Sequence, residues 1–348
     1  MIFYLNLLIS FLLSFNIFSY ILLVIFISFF AAFNSNIEDF STYKEIFQSV
    51  PTFNTFLNNP DILNDLYGER GYLILNIFIK DFITDDYIFF RAIVFLISFS
   101  LLFFTFKKTS YFLPITIVYF IAYYFHQDTI VLRSTLATSF IMLSYIFLSE
   151  NKVILSFFSI VIATQFQVIA YLAVIVFLLY KYITLNRKIL LFIIFLSLVV
   201  GLYGAGLIFA DLINILYPES YLAEKVHWYL DIYDNEQVGI LRGTVIINLF
   251  FLLYFTIKID DFKKYLYFKV FYLSYLVSFI FLVIFNDFPI VGDRAFNVYS
   301  ITLPVLISYT LTKVEKGSKY VFAIFILLFI LLLFFKELGG YDEYNFIF

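Results

Sequence analysis

"KVILSFFSIVIATQFQVIAYLAVIVFLLY", residues 152–180, is the stretch on which the fold turns. As a single α-helix it would rise about 43 Å, too far for one upright passage through a hydrocarbon core of about 30 Å and not far enough for two. Its flanks, the turn "SENK" at 149–152 with Lys152 and the basic connection "KYITLNRK" at 181–188, both read as cytoplasmic. One crossing cannot join two loops on the same side. Polar Gln165 and Gln167 interrupt the run near its middle. Two short helices meeting there, dipping into the membrane and back with protein or water around the turn, satisfy both flanks. The alternative is one strongly tilted helix with two ordinary polar residues, which would invert the topology of everything downstream.

Outward from this stretch the pattern repeats. Of 348 residues 63% are hydrophobic and 14% charged, where a soluble domain carries about 25% charged residues, so the composition is that of an integral membrane protein. Apolar runs place helices near 2–15, 17–33, 87–106, 111–126, 134–149, 188–209, 241–257, 265–285, 290–312 and 319–335. With the pair at 152–180 this gives an all-α, polytopic chain of about 11–12 transmembrane segments, the count depending on whether the first 33 residues cross once or bend back near Asn16. The N-terminus lacks a charged leader and its apolar stretch exceeds a signal-peptide core, so it reads as retained helix. Residues 1–348 are expected to form a single membrane domain.

Lysine and arginine cluster at 107–108, 181–188, 258–264 and 313–319, which places those connections in the cytoplasm. Residues 34–86 hold nine acids against three basic residues, and 210–240 hold six against one. Alternation with the basic loops puts both segments outside. His227 and Trp228 suit an amphipathic stretch lying at the outer surface. Without cysteine, zinc-thiolate, iron–sulfur and thiol-nucleophile chemistry are excluded. No glycine loop for a nucleotide and no metal-ligand spacing is present, so neither a cofactor nor a metal is expected, and nothing points to nucleic acid.

The candidate site residues are polar groups at the expected outer ends of helices. Arg133 heads a helix whose following face carries the small residues Ser134, Ala137, Thr138 and Ser144. Its planar fork suits phosphate better than an ammonium does. The plainer role is a snorkelling anchor. Arg294 follows Asp293 and also lies in an apolar run, as an anion-binding candidate or as one half of an ion pair. On the same side fall Asp39, Tyr43, Glu69, Arg70, His126, Gln127, Asp128, Gln165 and Gln167. Any single acid among them also suits a solvated loop, and His126 suits a general base or a hydrogen bond to Asp128 equally well.

The order "FNSNIEDFSTYKEIF", "YGERGYLILNIFIKDF", "IVLRSTLATSFIMLSYIFL", "IATQFQVIAYLAVIVFLL" and "GDRAFNVYSITLP" resembles the EpsG family, relatives of the Wzy-type polysaccharide polymerases, over nearly the whole chain. The resemblance implies a bacterial cytoplasmic-membrane enzyme, its site facing outward, that joins undecaprenyl-diphosphate-linked repeat units into exopolysaccharide, capsule or O-antigen. A flippase and a chain-length regulator are the protein partners it implies. Matching positions are Asp39 and Tyr43 for the early Asp and Tyr, Glu69 for the Glu before an apolar helix, Arg133 for the Arg before a small-residue helix, and Arg294 for the late Arg. Two positions depart: Asn34 stands where the family usually has arginine, and Gln167 where it has histidine. Asp39 or Glu69 is then the expected proton acceptor, and Arg133 with Arg294 the diphosphate ligands. Gln167, Tyr43, His126, Asp128 and Asp293 are supporting candidates. A lipid-linked saccharide flippase, and a membrane glycosyltransferase using a polyprenyl-phosphate sugar, remain the alternatives.

Overall fold

Asp86 starts the longest helix among the described residues. Its Oδ1 accepts the backbone N–H groups of Ile88 at 2.7 Å and Phe89 at 3.1 Å, two of the donors a helix start leaves without a partner. The helix that follows, Tyr87–Thr109, is phenylalanine-rich, and Phe90, Phe95, Phe99, Phe103 and Phe106 are all completely buried along its inner side. The computed structural model describes residues 17–35, 39–125, 131–216, 242–314 and 318. Every regular element among them is helical. The expected helices at 2–15 and 319–335, together with His126, Gln127, Asp128, His227 and Trp228, lie outside the described residues.

In chain order the α-helices are α1 Ile17–Phe33, α2 Phe40–Ser49, α3 Phe53–Asn58, α4 Arg70–Phe82, α5 Tyr87–Thr109, α6 Leu113–Tyr119, α7 Leu132–Ser149, α8 Val153–Thr164 and α9 Ala173–Tyr182. They continue as α10 Arg187–Leu202, α11 Ala205–Leu216, α12 Gly243–Ile257, α13 Ile259–Phe262, α14 Phe268–Ile284, α15 Pro289–Ser300 and α16 Leu303–Thr310. By length and composition α5 and α7 can each cross a membrane, and Val291–Ser300 with Leu303–Lys313 makes a third span if that broken pair counts as one. Six further apolar helices have 10 to 17 residues.

The chain packs as two compact units, the first comprising residues up to Tyr171 and from Pro304 onward, the second Leu172–Leu303. In the first, α5 lies against α1 and α7, and α8 packs along α7. Phe120, in the π-helical turn that continues α6, meets Phe99, Phe103 and Phe106 of α5 with ring centroids 5.5 to 6.1 Å apart. The second unit is built around α14, which touches α9, α10, α12 and α15. Polar side chains bond across its helices: Tyr275 donates to Asn248 Oδ1 at 2.6 Å, and Asn286 Nδ2 donates to the Gly201 carbonyl at 2.7 Å.

The run 152–180 breaks where its glutamines stand, α8 ending at Thr164 and a 3-10 turn beginning at Val168. Three features differ from the sequence expectation. Residues 34–86, an external loop by charge, carry α2, α3 and a 3-10 turn at Pro60–Asp65 besides α4, the apolar helix expected after Glu69. Tyr43, Ile46 and Phe47 recur at helical spacing among polar neighbours and bury one face, a pattern weaker than a continuous apolar run. The expected helix 188–209 is interrupted at Tyr203–Gly204, where Gly204 takes φ +69° and the Gly206 N–H donates to Asp287 Oδ1 at 3.0 Å. The expected helix 290–312 is interrupted between Ser300 and Leu303, just ahead of Pro304, whose ring and missing N–H oppose an unbroken helix there.

Candidate functional site

Arg133 occupies the first turn of α7, the positive pole of an 18-residue helix that has no capping side chain at Val131. A cation there is in the wrong place for the helix dipole and needs a negative neighbour. Glu69, immediately before α4, supplies it: Arg133 Nη1 donates to Glu69 Oε2 at 2.5 Å, with only 12% and 16% of the two side chains exposed. The connection can present Glu69 in this way because Gly68 takes φ +138°, a conformation other residues rarely adopt. The same reversal lays Tyr67, on the other side of Gly68, against the guanidinium with its ring centroid 5.1 Å from Cζ.

Tyr43 closes the inner side. Its ring centroid lies 5.6 Å from Arg133 Cζ, and Arg133 Nε donates to its hydroxyl at a long 3.4 Å. Burial raises the Tyr43 phenol above its ordinary value, while the neighbouring Arg133 charge pulls it the other way. Behind it the Tyr72 ring meets Tyr43 edge-on at 5.9 Å, and burial raises its phenol as well. Asp39, one helical turn before Tyr43, makes no cap hydrogen bond to its own helix and acts electrostatically on Tyr43.

The broken run joins this cluster through its backbone. The Gln165 carbonyl accepts the Tyr72 N–H at 3.3 Å, satisfying one of the free donors at the start of α4. The approach is closest at Gly71, where an added Cβ would come within 2.5 Å of Gln165 Cβ and 2.8 Å of its carbonyl oxygen. Only glycine admits that contact without a shift of backbone. Gln167 is buried just beyond, its N–H donating to Ala163.

Four segments far apart in sequence therefore meet: those of Asp39 and Tyr43, of Tyr67 to Tyr72, of Arg133, and of Gln165. Arg294 and Asp293 belong to the second unit. Asp293 pairs there with Arg242, whose two terminal nitrogens donate at 2.6 and 3.2 Å, and Arg294 is exposed on α15. The partner of Asp293 is thus an arginine across two helices. Among the described residues no three His, Asp or Glu side chains stand together as a metal site.

Sequence reasoning missed Tyr67, Gly68 and Gly71, all inside the quoted "YGERGY", along with Arg242 and Arg91. The last two had a usable signal, since each is an arginine at the edge of or within an apolar run, the criterion that singled out Arg133. Chemically, the Arg133 cluster is a guanidinium with one face toward buried Tyr43, a half-exposed Tyr67 and a carboxylate that an entering anion can displace.

The EpsG family model matches residues 17–347, nearly the whole length, and the chain belongs to that family. Membership supports a polysaccharide-polymerase type of function in an integral membrane protein. No curated protein and no solved structure matches the chain.

Proposed function

We propose that this EpsG-family protein is a Wzy-like polymerase of the bacterial cytoplasmic membrane, working on its outer side. It joins undecaprenyl-diphosphate-linked oligosaccharide repeat units into exopolysaccharide, capsule or O-antigen. The observation that carries this is the convergence of Glu69, Tyr43 and Tyr67 on Arg133 at a helix start. A helix N-terminus and a guanidinium together favour a diphosphate, with the fork able to take two of its oxygens.

In the transfer, the bond between the donor sugar and its diphosphate breaks, and the diphosphate leaves with the electron pair and one more negative charge. Arg133 stabilises that charge as it develops. A hydroxyl of the acceptor saccharide forms the new glycosidic bond, and its proton passes to a carboxylate, Asp39 or Glu69. Glu69 holds Arg133 when no donor is bound. Entry of the diphosphate displaces it, so donor binding and release of a base are one event. Arg294 is a second anion-binding candidate within its own unit.

The test is Arg133→Lys in cells. Lysine preserves the charge and loses the planar fork. The variant should accumulate single, unpolymerised repeat units with its membrane level unchanged. Normal chain length would refute the clamp, and a shortage of exported units would favour a flippase.

A further inference from the structure

Arg91 lies four residues into α5 and is completely buried, yet no described carboxylate pairs with it. It donates through Nη1 to the Asn34 carbonyl at 2.7 Å and through Nη2 to the Ala31 carbonyl at 3.0 Å, while Nε is buried without a hydrogen-bond partner. Ala31 belongs to the last turn of α1 and Asn34 follows its end, where helix carbonyls lack intrahelical donors and the dipole favours a cation. The face of the guanidinium is taken by rings: Phe40 at 4.9 Å, Phe95 at 5.6 Å and Tyr87 at 6.0 Å from Cζ.

Two of these partners flank one short connection. Asn34 precedes it, and Phe40 is the first residue of α2 after it; Asp39 lies between, and Tyr43 one turn on. One side chain therefore holds both ends of the segment that carries the acid. Phe40 also meets Tyr87 edge-on at 5.2 Å, and Phe47 of α2 packs on Phe90 at 4.6 Å, so α2 as a whole lies on the Arg91 face of α5. Burying a guanidinium with no counter-charge among the described residues is costly, and two carbonyls with three rings are a small return if the end of α1 is all that it secures.

We propose that Arg91 is a positioning residue: by clamping Asn34 and Phe40 it sets where Asp39 and Tyr43 stand relative to Arg133. It touches no substrate and acts through the connection it holds. The inference rests on the polymerase reading for its effect on turnover. The clamp itself is measured separately.

The experiment compares Arg91→Lys and Phe40→Leu with the parent chain in lipid nanodiscs, by hydrogen exchange and by polymerisation of a purified lipid-linked repeat unit. Lysine keeps the charge but cannot hold two carbonyls and a ring stack at once. Phe40→Leu removes one end of the clamp and leaves the guanidinium with both of its carbonyl bonds, so it remains informative if Arg91→Lys folds poorly. Both should speed exchange of residues 40–49 at least tenfold and leave residues 70–82 unchanged. Both should lower kcat severalfold with KM for the lipid-linked donor, held by Arg133, unaltered. Unchanged exchange in 40–49 overturns the clamp. Faster exchange with unchanged kcat overturns the positioning role. A failure of the underlying reading shows elsewhere: the parent chain itself would not polymerise the lipid-linked repeat unit, while the exchange result still decides whether Arg91 holds the connection.

Discussion

Arg91 and Arg133 stand on α5 and α7, the two helices of the first unit long enough to cross a membrane by themselves, and they are partnered in opposite ways. Arg91 gives its terminal nitrogens to main-chain carbonyls and its face to three rings. Those partners are parts of the fold, and nothing entering from outside can replace them. Arg133 has one strong partner, a carboxylate, and a neighbouring tyrosine that is 52% exposed. A carboxylate on a loop can move aside for another anion. On the proposed reading the first arginine builds the site and the second binds in it, a contrast that rests on their partners, since both residues look alike in sequence.

Four substitutions sharpen or break that contrast. Arg91→Met should have the largest effect, because it removes both charged hydrogen bonds to the Ala31 and Asn34 carbonyls, at about 1.5 to 3 kcal/mol each. The fraction surviving a heating series in detergent, followed by size-exclusion chromatography, should fall well below that of any other variant here. Survival like the parent would mean that the end of α1 does not depend on Arg91.

Arg133→Lys comes next and acts on a different quantity. Loss of a charged, bidentate contact costs about 1.5 to 3 kcal/mol, which is about tenfold or more in turnover. Lysine can still reach Glu69, so heat survival should match the parent. A variant that loses stability and activity together would place Arg133 in the same class as Arg91.

Gly71→Ala tests whether the helix break belongs to the site. The added methyl meets the Gln165 backbone, and relieving that overlap costs about 1 to 3 kcal/mol. Reduced heat survival is expected, with polymer length reduced as Glu69 shifts. No change in either would mean that Gln165 gives way freely.

The smallest effect belongs to Tyr43→Phe. It removes a long 3.4 Å hydrogen bond and keeps the ring, at a cost of about 0.5 to 1 kcal/mol. The sign of its pH dependence is specific. Burial raises the Tyr43 phenol above 10.0, so the unfolded chain loses that proton first. The contribution is whole below pH 10 and declines as pH rises further. Unfolding followed from pH 9 to 11 should show a shallower alkaline loss in the phenylalanine variant, and identical slopes would remove Tyr43 from the account.

Much of this was legible in the sequence, for identifiable reasons. Membrane helices announce themselves by apolar length, and the break at Gln165 showed because a 29-residue run fits neither one passage nor two. Arg133, Glu69, Tyr43 and Asp39 stood out as polar groups at helix ends. Their convergence did not, since it depends on Gly68 and Gly71, whose roles are a backbone angle and a close approach that one sequence cannot display. The helix α2 is hidden by its charged and polar residues, which leave only a narrow apolar face, and the interruption before Pro304 is hard to read because the residues around it are apolar. Arg91 lies inside a continuous apolar run that reads simply as helix, although a charge inside such a run is the stronger sign of a task.

The central claim is that Arg133 is a diphosphate ligand held in waiting by Glu69. Its most direct test is equilibrium binding of undecaprenyl diphosphate to the purified protein in nanodiscs, compared among the parent, Arg133→Lys and Glu69→Gln. Binding should weaken at least tenfold in Arg133→Lys and tighten in Glu69→Gln, where the competing carboxylate is gone. Equal affinity in all three would contradict the account.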